Sequence, residues 1–162
     1  MRSNKPQRIL EIGTSYGFGT CVLGQAAATY GGKVISFEIN ERLAEIARTN
    51  ADELGLGNTV EIHAADAKYA IREMSDSFGL ILQDGHKQDY VPMLDRLIEL
   101  LEPGGLLISD DVMFPVMSLP EQALSWQKSV AEYNELLKSC NKLRSVWLPI
   151  GDGVAISVKT EI

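Results

Sequence analysis

Short apolar runs alternate with helical patterns along the whole chain. Arg8-Ile-Leu-Glu-Ile12 reads as a first strand, and the Ala-rich stretch from Phe18 to Tyr30 as a helix. Lys33 to Phe37 reads as a second strand, entered through Gly31-Gly32. Leu43, Ile46, Ala47, Ala51 and Leu54 then recur at helical spacing, with Asn40 placed to cap that helix. Thr59 to His63 alternates like a third strand, and Ala67 to Met74 fits a short helix. Phe78 to Leu82 is a fourth strand. A helix from about 89 to 101 follows it, stopped by Pro103-Gly104-Gly105, and Leu106 to Ser109 is a fifth strand.

The last third has a different pattern. Leu119, Ala123, Trp126, Val130, Tyr133 and Leu137 recur in steps of four and three, one face of a long helix that places Trp126 and Tyr133 in the core. Leu143 to Ile150 and Val154 to Val158 flank Gly151-Asp152-Gly153, a hairpin signal. Strands alternating with helices imply βαβ units and a parallel sheet, so the fold class is α/β, with the hairpin an antiparallel addition at one edge. Without linkers or repeats, residues 1–162 read as a single domain.

Composition narrows the function. The chain is 45% hydrophobic and 23% charged, an ordinary balance for a globular protein. A net charge of −7 argues mildly against a nucleic-acid partner, because phosphates reward basic surfaces. Cys21 and Cys140 form neither a metal-spaced pair nor a disulfide framework. The polar start lacks the apolar segment of a signal peptide, and no run approaches a membrane span. A cytoplasmic protein is expected.

Candidate chemistry sits at the strand ends. Glu11-Ile-Gly-Thr-Ser-Tyr-Gly-Phe-Gly19 follows the first strand and opens a helix. Gly13, Gly17 and Gly19 would let backbone approach a ligand, and the helix N-terminus favours a negative group. Glu38 ends the second strand, where an acid can accept from both ribose hydroxyls. Together they predict a nucleoside-bearing cofactor. The glycine spacing also occurs in short-chain dehydrogenases, but those need a Tyr-x-x-x-Lys pair that is absent here. Glu11 favours S-adenosylmethionine over NAD: it can order the loop or meet the methionine ammonium. Asp66 either accepts from the adenine amino group or caps the short helix, and both can hold. His63 faces solvent or an adenine edge. His86 lines the cofactor pocket or is an exposed loop histidine.

Asp84 and the pair Asp110-Asp111 follow the two most apolar strands. Neighbouring strands lie roughly 4.8 Å apart, so the three carboxylates could share one hard cation, with Lys87 beside it. The alternative is three loop acids that cap helices.

These residues resemble the metal-dependent class I O-methyltransferases, the group of catechol and caffeoyl-CoA O-methyltransferases. The resemblance runs from about 8 to 159. It rests on Glu11-Ile-Gly13, Glu38, Asp84-x-x-Lys87, Asp110-Asp111-Val112 and Leu148-Pro-Ile-Gly-Asp-Gly153. It implies a Rossmann-like, mostly parallel sheet of seven strands in the order 3-2-1-4-5-7-6, with helices on both faces. It implies S-adenosylmethionine over Gly13 and Glu38, near Asp66, with Glu11, Ser15, Gly17, Gly19, Ile39, Ala67, Asp84 and His86 around it. It implies Mg²⁺, or another divalent cation, on Asp84, Asp110 and Asp111, and it makes Lys87 the candidate general base. Pro115 falls where the family places a substrate-flanking proline. Two departures stand out. The family usually has Asp-Asn where this chain has Asp110-Asp111, and a third carboxylate offsets more of a cation's charge. The family also carries helices before its first strand, whereas only residues 1–7 precede it here, which implies a more open site or a truncated chain. The expected activity is Mg²⁺-dependent methyl transfer to a hydroxyl of a small catechol-like aromatic. The alternatives are a tRNA hydroxyuridine O-methyltransferase and a non-catalytic S-adenosylmethionine binder. No membrane partner is expected, and a homodimer is left open.

Overall fold

The computed structural model describes residues 5–160. Its strands are β1 (Arg8–Ile12), β2 (Lys33–Glu38), β3 (Val60–Ala64), β4 (Phe78–Gln83), β5 (Leu101–Ser109), β6 (Leu143–Leu148) and β7 (Val154–Lys159). They form one sheet in the order β3-β2-β1-β4-β5-β7-β6. The first five pair in parallel. β7 runs antiparallel between β5 and β6, the hairpin arrangement read from Gly151-Asp152-Gly153. The sheet order and helical layers agree with the expected fold.

Alternation along the strands divides the core in two. Ile9, Val34 and Leu80 face α1 (Phe18–Ala28) and α2 (Glu41–Glu53). Leu10, Ile81 and Leu107 face the other layer, which holds α3 (Ala67–Glu73), α4 (Tyr90–Leu100) and α5 (Leu124–Ser139). Burying one large aliphatic side chain is worth roughly 1.5–3 kcal/mol. A one-residue slip would turn each set to the wrong face, so the register is firmly specified and so is the relative height of the strand ends. Asn40 caps α2, its side chain accepting from the Leu43 N–H at 3.2 Å.

Two boundaries differ from the sequence reading. β5 begins at Leu101 and carries Pro103-Gly104-Gly105 within it, rather than after a helix they stop. α4 has already ended at Leu100, and the three residues form an irregularity: Phe78 pairs with Leu101 but Leu80 with Leu106. The long helix starts at Leu124, not near Leu119, because 3₁₀ turns at Phe114–Val116 and Glu121–Ala123 occupy the approach. Tyr133 is fully buried as expected. Trp126 is not core: it is 38% exposed, since the late helix start leaves it at the layer's rim. Among the described residues no helix is long and apolar enough to cross a membrane.

Candidate active site

A crevice opens at the carboxyl ends of the parallel strands, where α/β sheets present ligand sites. One half is a cavity of about 340 Å³ between the β1, β2 and β3 ends and the start of α4. Gly13, Ser15, Glu38, Ile39, Asp66 and Ala67 line it, with Asp84 and His86 on the opposite wall. Gly13 has φ 97°, and a Cβ there would collide with the carbonyl of Asp84, so only glycine fits. Ser15 also adopts a left-handed conformation, φ 50°, which aims its N–H at Glu38. The Glu38 carboxylate accepts from the Ser15 N–H at 2.8 Å and the Asn40 N–H at 2.9 Å. Two backbone donors therefore fix an acid at the cavity wall before any ligand arrives.

The other two loop glycines do not line the cavity. Gly17, φ 86°, sits where a Cβ would lie 2.9 Å from the Ala47 Cβ, so it lets α1 close on α2. Gly19 faces the Glu11 carboxylate, at 2.7 Å from a would-be Cβ. Glu11 is also absent from the wall, at 1% exposure. It accepts from Ser36 Oγ at 2.6 Å and from Thr20 Oγ1, tying the glycine loop to β2 and α1. Of its two sequence readings, this geometry matches loop ordering, not ligand contact. Burial pushes its carboxyl up to about 7, against the opposing effect of the two hydroxyl donors.

Asp66 caps α3 by accepting from the Lys68 N–H at 2.9 Å, and it lines the cavity as well. His63 stacks on Phe37 with ring centroids 5.2 Å apart and pairs with Glu61 at 3.0 Å; it is not on the cavity wall.

The second half of the crevice holds the acids. Gln83 pairs with Ser109 across β4 and β5, so the following residues, Asp84 and Asp110, leave the sheet side by side. Asp111 turns back with φ 60°, a conformation Asp tolerates better than most residues. Carboxylate oxygens of Asp84, Asp110 and Asp111 lie within 4.8 Å of one another. The β6–β7 turn braces this loop: Val112 N–H donates to the Gly153 carbonyl at 3.1 Å and Met113 N–H to that of Asp152 at 2.9 Å. Gly153, φ 92°, admits that approach, since a Cβ would run into Met113.

Lys87 is 7% exposed and reaches Asp84 Oδ1 at 3.1 Å and Asp111 Oδ2 at 2.8 Å. Burial raises the pKa of Asp84; Lys87 opposes the rise, and the neighbouring Asp110 and Asp111 add to it. An all-oxygen set of three carboxylates suits a hard divalent ion. On donor chemistry the residues fit such a cation.

Two aromatic residues at this half were not assigned to the site from sequence. Trp126 stacks on Phe114 at 6.4 Å and meets the His86 ring edge-on at 6.2 Å. Tyr90 is fully buried, with its hydroxyl 2.9 Å from Lys87 Nζ. The spacing Lys87-x-x-Tyr90 was the available signal for the latter; Trp126 was masked by its fit to the helical stripe.

A Rossmann-like sheet in this strand order, with its polar crevice at the carboxyl ends, defines a class I methyltransferase architecture. The model of the family described as O-methyltransferase matches residues 3–160, and the chain belongs to that family. Caffeoyl-CoA O-methyltransferase 1 of Nicotiana tabacum is 26% identical over 160 residues, covering 91% of this chain and 66% of its own length. Catechol O-methyltransferase of Mycobacterium tuberculosis is 31% identical over 108 residues, or 66% of this chain and 49% of that protein. This chain therefore spans about two thirds of the first relative and about half of the second. The SAH-bound methyltransferase PaMTH1 of Podospora anserina superposes with a TM-score of 0.89 at 21% identity, over 99% of this chain and 74% of that one. The O-methyltransferase of Bacillus cereus in complex with SAH gives 0.86 at 24% identity, over 98% and 76%.

Proposed function

We propose that this protein is an S-adenosylmethionine-dependent, Mg²⁺-dependent O-methyltransferase acting on a small aromatic with vicinal hydroxyls. The observation that carries the reading is that Asp84 belongs to both halves of the crevice: it lines the cofactor cavity and joins the acid cluster beside Lys87. A divalent ion on Asp84, Asp110 and Asp111 would supply Lewis acidity to an acceptor hydroxyl, and S-adenosylmethionine the methyl group. The chain's own residues do the rest. Glu38 keeps lone pairs for a ribose diol while its two backbone donors hold it still. Lys87 Nζ, next to the acids, takes the hydroxyl proton once its amine has given up a proton and is neutral. Trp126, stacked on buried Phe114 and met edge-on by His86, offers flat apolar surface for an aromatic ring. Holding donor and acceptor on either side of Asp84 supplies proximity, a large share of the barrier in two-substrate transfers.

An RNA acceptor finds less support. Lys68, at the adenine end of the cavity, is already paired with Asp89 at 2.9 Å, and the chain is acidic overall. The test is a methylation screen with labelled S-adenosylmethionine, Mg²⁺, a panel of catechols and bulk tRNA, repeated in excess chelator. Label entering catechols only with the ion present is the expected result. Label in tRNA alone would move the acceptor to RNA. Cofactor binding without transfer to anything would leave a non-catalytic binder.

A further inference from the structure

We infer that Tyr90 is the positioning residue for Lys87, the fixed point that holds its amine against the acid cluster. The inference rests on the reading of Lys87 as the base. Lys87 opens a 3₁₀ turn, Lys87–Asp89, and Tyr90 is the first residue of α4. Side chains three apart eclipse in such a turn. The lysine accordingly lies along the tyrosine, with Nζ 4.9 Å from the ring centroid.

An ammonium has three N–H groups, and Lys87 has three partners: Asp84 Oδ1 at 3.1 Å, Asp111 Oδ2 at 2.8 Å and the Tyr90 hydroxyl at 2.9 Å. Two of these are acids for which any bound cation competes. The Tyr90 hydroxyl is outside that competition, and it can accept an N–H whether the amine is charged or neutral. Tyr90 is itself immobile. It is fully buried, and its single hydroxyl proton is shared between the Gln83 carbonyl at 2.9 Å and the Asp110 carbonyl at 3.1 Å. Those carbonyls lie where β4 and β5 end, next to Asp84 and at Asp110 itself. A single hydroxyl thus refers the lysine amine to both acid-bearing strands at once.

Tyr133 supplies the control. It is equally buried, 5.1 Å from Tyr90 between ring centroids, and bonds Gln83 Oε1 at 2.9 Å and Ser109 Oγ at 2.7 Å, without touching Lys87. Tyr90→Phe and Tyr133→Phe each delete one buried hydroxyl, and both should lower the thermal midpoint. Only Tyr90→Phe should lower kcat, by roughly 10²-fold, as expected for a displaced catalytic group, with KM for S-adenosylmethionine unchanged. In a Lys87→Met background the Tyr90→Phe loss should vanish. Wild-type kcat in Tyr90→Phe, or an equal loss in Tyr133→Phe, would overturn the proposal. A second readout needs neither turnover nor a folded variant: in wild-type crystals grown with Mg²⁺, Lys87 Nζ should remain within hydrogen-bond distance of the Tyr90 hydroxyl. Its departure would sink the idea. A wild type that methylates nothing would instead count against the proposed function, and the crystal still decides where Lys87 is held.

Discussion

The two halves of the crevice are built on opposite electrostatic terms. On the cofactor side Glu38, the acid that ends β2, is met by two backbone N–H groups, and the wall is shaped by a glycine that nothing else could replace. On the acceptor side three carboxylates cluster, and two of them, Asp84 and Asp111, pair with one ammonium, that of Lys87. In the first half backbone donors hold the Glu38 carboxylate, so its position is set by the fold. The second half carries surplus negative charge, so its geometry is set by whichever cations share it. The same sheet thus makes a pocket that recognises shape and a pocket that recognises charge, one strand apart.

Asp84 is the residue that joins them, and removing it gives the largest expected effect. Asp84→Ala should reduce methyl transfer to background while S-adenosylmethionine affinity, read by calorimetry, stays within a few-fold of wild type. Parallel loss of both properties would mean the halves are not separable. Lys87→Met follows. It should lower kcat by about 10²–10⁴-fold, the usual range for a lost general base, and spare cofactor affinity. Normal turnover at neutral pH would return Lys87 to the role of a counter-ion.

Glu38→Ala tests the cofactor side. Losing hydrogen bonds to a charged group should weaken S-adenosylmethionine binding by about 1.5–3 kcal/mol, roughly 10- to 100-fold in Kd, and leave kcat at saturating cofactor nearly intact. An unchanged Kd would take Glu38 out of the site. The last effect falls on stability rather than on binding or turnover, and it concerns the floor beneath the glycine loop. The Glu11 carboxyl is raised from 4.5 to about 7 in the folded protein. Its neutral form therefore favours folding: the contribution is fully present below pH 4.5 and is lost as pH rises toward 7. The loss is of the order of 3 kcal/mol across that window. Glu11→Gln keeps an acceptor for Thr20 and Ser36 and cannot ionise. The difference in urea midpoint between variant and wild type should grow in favour of the variant between pH 4.5 and 7.5. A difference independent of pH would show that Glu11 does not titrate there.

Strand positions and the placing of Glu38, Asp84 and Asp110 were legible in the sequence, because apolar runs with an acid after them fix both the buried length and the exposed end, whereas the sheet order was legible only through the family resemblance. Less legible was anything set by packing between elements. Gly17 and Gly19 resemble ligand-binding glycines, yet they serve helix approach and a buried carboxylate. Trp126 obeys the spacing of a buried stripe, but the stripe outruns the helix, whose start is delayed by the turns around Pro115 and Pro120. Pro103-Gly104-Gly105 carries the composition of a stop and lies inside a strand, because the helix before it had already ended. Local composition announces a change of direction; only the neighbours decide what kind.

The turn at Gly153 ties distant parts of the molecule into one mechanical unit. Val112 and Met113 hang by their amides from the carbonyls of the β6–β7 turn, so the loop that carries Asp110 and Asp111 is tethered to the far edge of the sheet. Fraying of that edge and loss of order in the acid loop are then a single opening event. Hydrogen exchange at the Val112 and Met113 amides should keep step with exchange along β7, and amides that exchange faster than β7 would show the tether to be slack.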